Sequence, residues 1–280
     1  MEKTLKKYFP IFVLPTTVAF LIGFVVPFIL AVYLSFCSFT TVTDAKFVGI
    51  SNYIQAFKDS TFMYSVGFSA LFTVVTVIII NVLAFAVAMC LTKKIKGTNL
   101  FRTVFFMPNL IGGIVLGYVW QLLFNGILAY FNRTLTYSAS YGFWGLVILL
   151  CWQQVGYMMI LYIAGIQNIS SEMLEAAEVD GANGVQRLFR VIIPSVRPTI
   201  VICTFMTLTN GFKLFDQNLA LTAGEPSRAT EMVALNIYNT FYGSTSTFRG
   251  VGQAKAVIFA IALALIGVIQ MRFTAGKGEK

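Results

Sequence analysis

The sequence predicts an all-α membrane protein with six transmembrane helices, and three observations predict it. Hydrophobic residues make up 58% of the 280 and charged residues only 11%, a balance that cannot form a water-soluble globule. The apolar residues gather into six stretches, at about 10–36, 64–92, 103–124, 142–166, 198–222 and 253–272, and ~20 residues suffice for a helix to cross a bilayer. The loops between them add no second soluble domain, so the chain reads as one transmembrane domain over 1–280.

The first stretch has an apolar core far longer than the ~7–15 residues of a cleavable signal, so it is expected to remain as a span. The loop from Cys37 to Phe62 contains FVGISNYIQAFKDSTF, whose aromatic and amphipathic spacing predicts a helix lying at the membrane interface. After the second stretch comes KKIKGTNLFRTVFFMPN. Its cations anchor one face of the membrane, and Pro108 sits early in the third stretch, where it can kink that helix.

The fourth stretch carries Trp152, Gln153, Gln154 and Tyr157. Apolar sugar faces stack on aromatic rings and sugar hydroxyls need paired donors and acceptors, so this combination suits a carbohydrate. Glutamines also bridge helices in membranes, which is the alternative reading. In the fifth stretch, Thr207, Asn210, Gly211, Leu214 and Gln217 recur at the spacings of one helical face, with Gly211 leaving room for a sugar ring. Lys213 and Asp216 lie on a neighbouring strip. A lone charge at mid-membrane costs about 2.5–3.5 kcal/mol, so the two are expected to turn from lipid and partly neutralise each other, as a structural pair or against a polar substrate.

An even number of spans puts both termini on one side. Lys3, Lys6, Lys7, Lys93, Lys94, Lys96, Arg102, Arg187, Arg190, Arg197, Arg272, Lys277 and Lys280 fall on that side, against Lys46, Lys58, Arg133, Arg228, Arg249 and Lys255 on the other. The asymmetry makes both termini and the 168–198 loop cytoplasmic. The net charge of +9 then belongs to topology and anionic membrane lipid, with no nucleic-acid partner implied. Histidine is absent and Cys37, Cys90, Cys151 and Cys203 sit singly, which gives neither metal-ligand spacing nor a disulfide framework. No phosphate loop and no nucleophile–base pair stands out, so no catalytic residue is expected and any ATP must be hydrolysed by another chain.

The loop 168–198 interrupts the apolar pattern with EMLEAAEVDGANGVQRLFRVIIPSVRP. Glu172, Glu175, Glu178 and Asp180 follow Ser170 or Ser171, which predicts a short capped helix with carboxylates favourably placed. Ala176 and Ala177 allow close approach of another backbone, and Gly181 can turn the chain. A second amphipathic stretch, Val185 to Ile193, leads to Pro194 and Pro198.

Glu175, Ala176, Ala177, Gly181 and the closing Ile192, Ile193 and Pro194 resemble the EAA loop of bacterial ABC importer permeases. FVGISNY, FRTVFFMP and FKLFDQNLALTAGEP are similar to motifs of the carbohydrate branch, the maltose and glycerol-phosphate type, with Glu225 where the family usually has a second Gly. The resemblance covers nearly the whole chain. It implies the type I importer permease (MetI-like) fold in a bacterial cytoplasmic membrane. Glu172, Glu175, Ala176, Ala177, Asp180 and Gly181 would couple to ATPase subunits, and Gln153, Gln154, Tyr157, Thr207, Asn210, Gly211, Leu214 and Gln217 would line the path of a sugar or oligosaccharide. The implied partners are a second homologous permease, two cytoplasmic subunits that bind ATP and Mg, and an extracellular solute-binding protein. The chain itself would hold no cofactor. The rival readings are a permease for glycerol phosphate or another small polar solute, and an ion-coupled secondary transporter.

Overall fold

In the computed structural model, which describes residues 9, 13–93, 96–243 and 249–275, each apolar stretch becomes helix, though not always one helix. We number the helices Val13–Ser35 (α1), Ser51–Lys58 (α2), Ser60–Leu91 (α3), Thr98–Phe106 (α4), Gly113–Ala129 (α5), Ala139–Gln167 (α6), Ser171–Val179 (α7), Gly184–Ser195 (α8), Arg197–Phe212 (α9), Asp216–Leu221 (α10), Val233–Tyr242 (α11) and Arg249–Ala275 (α12). The described β-structure is one antiparallel pair, Cys37–Ser38 with Lys46–Phe47. The expected interfacial helix is α2, with Ile54 and Phe57 exposed. Lys3, Lys6, Lys7, Lys94, Lys277 and Lys280, counted above for the inner face, lie outside the described residues.

Four helices, α1, α3, α6 and α12, are each long and apolar enough to cross a membrane, and two bent pairs bring the number to six. The third stretch, expected to run continuously over 103–124, is broken. Pro108 offers no N–H, the chain tightens into a 3₁₀ turn at Met107–Leu110, and α5 leaves at 101° to the segment before it. The fifth stretch, expected as one helix over 198–222, ends at Phe212 and restarts at Asp216.

The chain divides into two compact units. One comprises Met63–Asn236 and Leu263–Lys280, the other Met1–Phe62 and Ile237–Ala262. The first is centred on α6, whose Leu146, Leu149, Leu150, Met158, Met159 and Tyr162 are fully buried with Phe72 and Ile80 of α3 and Cys203 of α9. The other unit is tied by polar contacts. Asn52 donates to the carbonyls of Ser35 and Cys37, both at 2.9 Å, and closes the end of α1 onto α2.

Lys255, expected among the outer-face cations, is wholly buried in α12. Its Nζ lies 2.6 Å from Asp59 Oδ2, 2.8 Å from Thr240 Oγ1 and 5.1 Å from the centre of the Phe62 ring. A buried cation is tolerated when it is paired in this way. Asp59 also caps α3, accepting from the backbone N–H groups of Thr61 at 2.9 Å and Phe62 at 3.3 Å.

Burial pushes the Asp59 carboxyl pKa up, but the hydrogen bonds from Lys255 and Thr61 outweigh it and hold the group at about 2. Because the folded value lies below the ordinary one, the pair contributes stability that is lost as pH falls through about 2. Thermal unfolding of the detergent-solubilised protein should therefore be level from neutral pH down to about pH 5 and weaken below about pH 4. Asp59→Asn should lower the neutral-pH midpoint and flatten that acid limb. An acid limb identical in both proteins would exclude the pair as its source.

Candidate functional site

The 168–198 loop folds as two short helices around a tight turn. Ser170, not Ser171, caps α7, its side chain accepting from the Met173 N–H at 3.4 Å. Glu172 occupies the first turn, where the helix dipole favours a carboxylate. Gly181 takes φ +75°, the left-handed conformation that stops a helix. Asn183 then opens α8 through a capping box. Its Oδ1 accepts from the Gln186 N–H, and Gln186 Oε1 accepts from the Asn183 N–H, both at 2.9 Å. Glu172, Glu175, Ala176, Asp180 and Gly181 are exposed and Ala177 is half-buried. The apolar side chains of Met173, Val179, Val185 and Phe189 are uncovered beside them, so the loop presents a mixed apolar and acidic surface of the kind that a partner covers.

Inside the apolar layer, α6, α9 and α10 bring four amides together in two pairs. Asn210 Nδ2 donates to Gln154 Oε1 at 2.9 Å, and Gln217 Nε2 donates to Gln153 Oε1 at 2.8 Å. Gln153 Nε2 in turn donates to the Ile111 carbonyl at 3.2 Å. Gln153 is only 6% exposed, and its bonds realise the helix-bridging alternative. Gln154, Tyr157, Asn210 and Gln217 are half-buried. Trp152 stands on the outside of α6, edge-on to Trp120 at 5.5 Å.

The face expected to hold Thr207, Asn210, Gly211, Leu214 and Gln217 is divided. Because α9 ends at Phe212, Leu214 and Gln217 do not continue its surface. Thr207 is buried and accepts from Asn81 Nδ2 at 3.0 Å, while the Tyr162 hydroxyl donates to Asn81 Oδ1 at 2.7 Å. A Cβ on Gly211 would lie 2.9 Å from Thr73 Oγ1, so its missing side chain admits α3 rather than a sugar ring. Leu214 is also buried.

The expected Lys213–Asp216 pair is corrected as well. Lys213 is the C-cap of α9 and Asp216 the first residue of α10, so the three-residue helical spacing that would join them does not exist. Both are exposed at the break, and among the described residues no salt bridge links them.

The sequence reading missed the residues that hold the breaks in place. A Cβ on Gly113 would lie 2.7 Å from Asp216 Cβ, and one on Gly117 would lie 2.7 Å from Ala220 Cβ. These two glycines, four apart on one face of α5, were a legible signal of close helix approach. Gly156 was equally legible beside Tyr157, and a Cβ there would collide with the Phe105 carbonyl. In the turn after α10, Gly224 has φ +86°, whereas Glu225 is not among the residues of positive φ. The departure from the family's second Gly therefore leaves the turn intact. Beyond it Asn218 donates to the Thr230 carbonyl at 2.8 Å, and buried Glu231 accepts from Arg228 at 2.9 and 3.0 Å.

Residues 87–275 match the family of binding-protein-dependent transport system inner membrane components. The probable starch degradation products transport system permease protein AmyD of Thermoanaerobacterium thermosulfurigenes is 40% identical over 273 residues, covering 94% of this chain and 92% of that one. The multiple sugar-binding transport system permease protein MsmF of Streptococcus mutans is 31% identical, with 98% of each chain covered. A crystal structure of a bacterial alginate ABC transporter, in complex with an alginate pentasaccharide-bound periplasmic protein, has a chain that superposes with a TM-score of 0.80 at 18% identity, over 98% of each chain.

The Gly156 contact generates a direct test. Because a methyl group there meets backbone rather than a movable side chain, Gly156→Ala should displace α4 from α6. Overpacking of this kind costs about 1–3 kcal/mol or more. Thermal melting of the solubilised protein checks it, and a midpoint equal to that of the parent would show that α4 yields without cost.

Proposed function

The chain belongs to the family of binding-protein-dependent transport system inner membrane components, a multi-pass transport permease with the MetI-like fold, and on that premise we propose that it carries a sugar or oligosaccharide into the cell as one subunit of an ATP-driven importer. The observation that carries the solute class is the pair of half-buried amides Asn210 and Gln154 beside Tyr157, set in otherwise apolar spans. Amides offer donor and acceptor together, as a hydroxyl-rich solute requires. Relatives named for starch degradation products and multiple sugars support the same class.

The second homologous permease that such an importer needs would place the uncovered face of α9 and the Lys213–Phe215 break toward the solute path. Two cytoplasmic subunits would bind ATP and Mg and grip the acidic, apolar surface of α7 and α8. A solute-binding protein would deliver sugar from outside, as the periplasmic protein in the alginate complex supports. Both termini would face the cytoplasm, on the asymmetry of Lys and Arg. Closure of the ATPase pair would push α7, and the spans would rock to admit solute from one side and release it to the other.

Reconstitution of the complex, with ATP hydrolysis and uptake measured across a panel of sugars and glycerol phosphate, tests the reading. Stimulation by a loaded sugar-binding protein is expected, and stimulation only by glycerol phosphate would replace the solute class. In that assay Asn210→Ala should raise the half-saturating sugar concentration roughly fivefold to a hundredfold, since a lost buried hydrogen-bond partner typically costs about 1–3 kcal/mol. An unchanged value would move the solute off α9. Gly181→Asp, which puts a side chain at φ +75° on the docking surface, should abolish uptake and strip the ATPase subunits during purification. Normal co-purification and uptake would remove α7 from the coupling path.

A further inference from the structure

The third and fifth spans are both interrupted, and one side chain on the unbroken α6 reaches both interruptions. Gln153 donates to the Ile111 carbonyl, at the bend between α4 and α5, and accepts from Gln217 in the first turn of α10. From these bonds we infer that Gln153 is a positioning residue that ties the third-span bend and the fifth-span break to α6, so that α5 and α10 move together against it, and that it is not a ligand of the solute. The inference rests on the permease reading above.

Three further contacts make α5 and α10 one body. Gly113 lets Asp216 approach, Gly117 lets Ala220 approach, and Gln121 Nε2 donates to the Leu221 carbonyl at 3.1 Å. The contacts run the length of α10, from its first residue to its last. By contrast α9, on the other side of Lys213–Phe215, is held by different bonds, Asn210 to Gln154 and Thr207 to Asn81. Consecutive glutamines on α6 thus hold opposite sides of one break, Gln154 the α9 side and Gln153 the α10 side. The bend leaves the Ile111 carbonyl without a helical partner in an apolar layer, where an unpaired carbonyl is costly. Gln153 satisfies it with its one NH₂ group while its oxygen is occupied by Gln217. Both ends of the amide are therefore engaged with protein, and at 6% exposure its remaining N–H and lone pair are closed off from a sugar.

The test uses the full importer complex in liposomes with Gln153→Leu, Gln217→Leu and the double variant. A tie predicts that Gln153→Leu lowers the maximal uptake rate roughly fivefold to a hundredfold, while the half-saturating sugar concentration stays within about twofold. The double variant should be no worse than Gln153→Leu alone, because both changes cut the same bond. A raised half-saturating concentration with the maximal rate kept would make Gln153 a ligand and overturn the inference. If Gln153→Leu fails to assemble, Gln217→Leu, which removes a half-buried side chain, is read by the same two outcomes. A transport-independent arm places spin labels at the exposed positions Val115 on α5 and Ile148 on α6 after replacement of the native cysteines. The distance distribution should be narrow in the parent complex and broad in the Gln153→Leu or Gln217→Leu complex. Equal widths would overturn the tie, whereas broadening in the variant of an importer whose parent complex carries no sugar would overturn only the solute reading.

Discussion

The constraint on which the rest depends is that no water reaches the middle of a bilayer to satisfy a stray peptide group, so each interruption of a span needs a protein partner for every carbonyl and amide that it frees. Four spans avoid the requirement by being unbroken helices. The third and fifth cannot, and their breaks lie against α6, the most buried helix of the unit, which carries two adjacent glutamines at that level. The proposed carbohydrate specificity and backbone satisfaction thus draw on the same residue type. An amide that braces a broken helix is chemically what a hydroxyl-rich solute also seeks, and the difference in burial between Gln153 and Gln154 is the basis on which the two roles are proposed.

Close approach is the second device, and glycine provides it. Gly113, Gly117, Gly156 and Gly211 each face another segment at a distance that a side chain would forbid. In lipid the hydrophobic effect does not drive helices together, so packing depends on backbones coming near enough for dispersion contacts and hydrogen bonds. That explains how α10, a helix of only six residues, is held at all. It is too short to be stable on its own propensity, and α5 supplies the surface on which it folds.

How much of this was legible follows from the kind of signal. The spans, the EAA-like loop, the helix after Ser170 and the turn at Gly181 were legible because each rests on local chemistry: hydropathy, capping and the φ freedom of glycine. The break after Phe212 was not, because nothing in NGFKLFDQN forbids a helix there; only the packing of α10 on α5 ends it. From that error followed the two others at the site, the supposed single face through Thr207, Gly211 and Leu214 and the pair of Lys213 with Asp216. Pro108 was recognised as a kink, but its consequence, a turn of 101°, goes with the close approach of α10 to α5 at Gly113. Lys255 was read as a surface cation because Asp59 and Thr240, its partners, are remote in sequence.

Within the larger unit, the loop and the polar site are joined by one continuous path. α8 meets α9 at Val196, where the chain bends by 70°, and the Ser195 hydroxyl at that corner lies 3.6 Å from Met173 Sδ on α7. Pro194 and Pro198 flank the bend, and Gly165 of α6 makes room for Thr199 just beyond it. From the corner, α9 runs 16 residues, about 24 Å at the rise of an α-helix, to Asn210 and the exposed Lys213. In the proposed coupling, a displacement of α7 would reach the amides through a stiff rod with a pivot near Thr199, while the non-helical Lys213–Phe215 segment would free α10 from following it. On that proposal the break would let α9 swing with the loop while α10 stays with α5, so that the motion would change the spacing between Asn210 and Gln217, the two amides that flank the exposed charges.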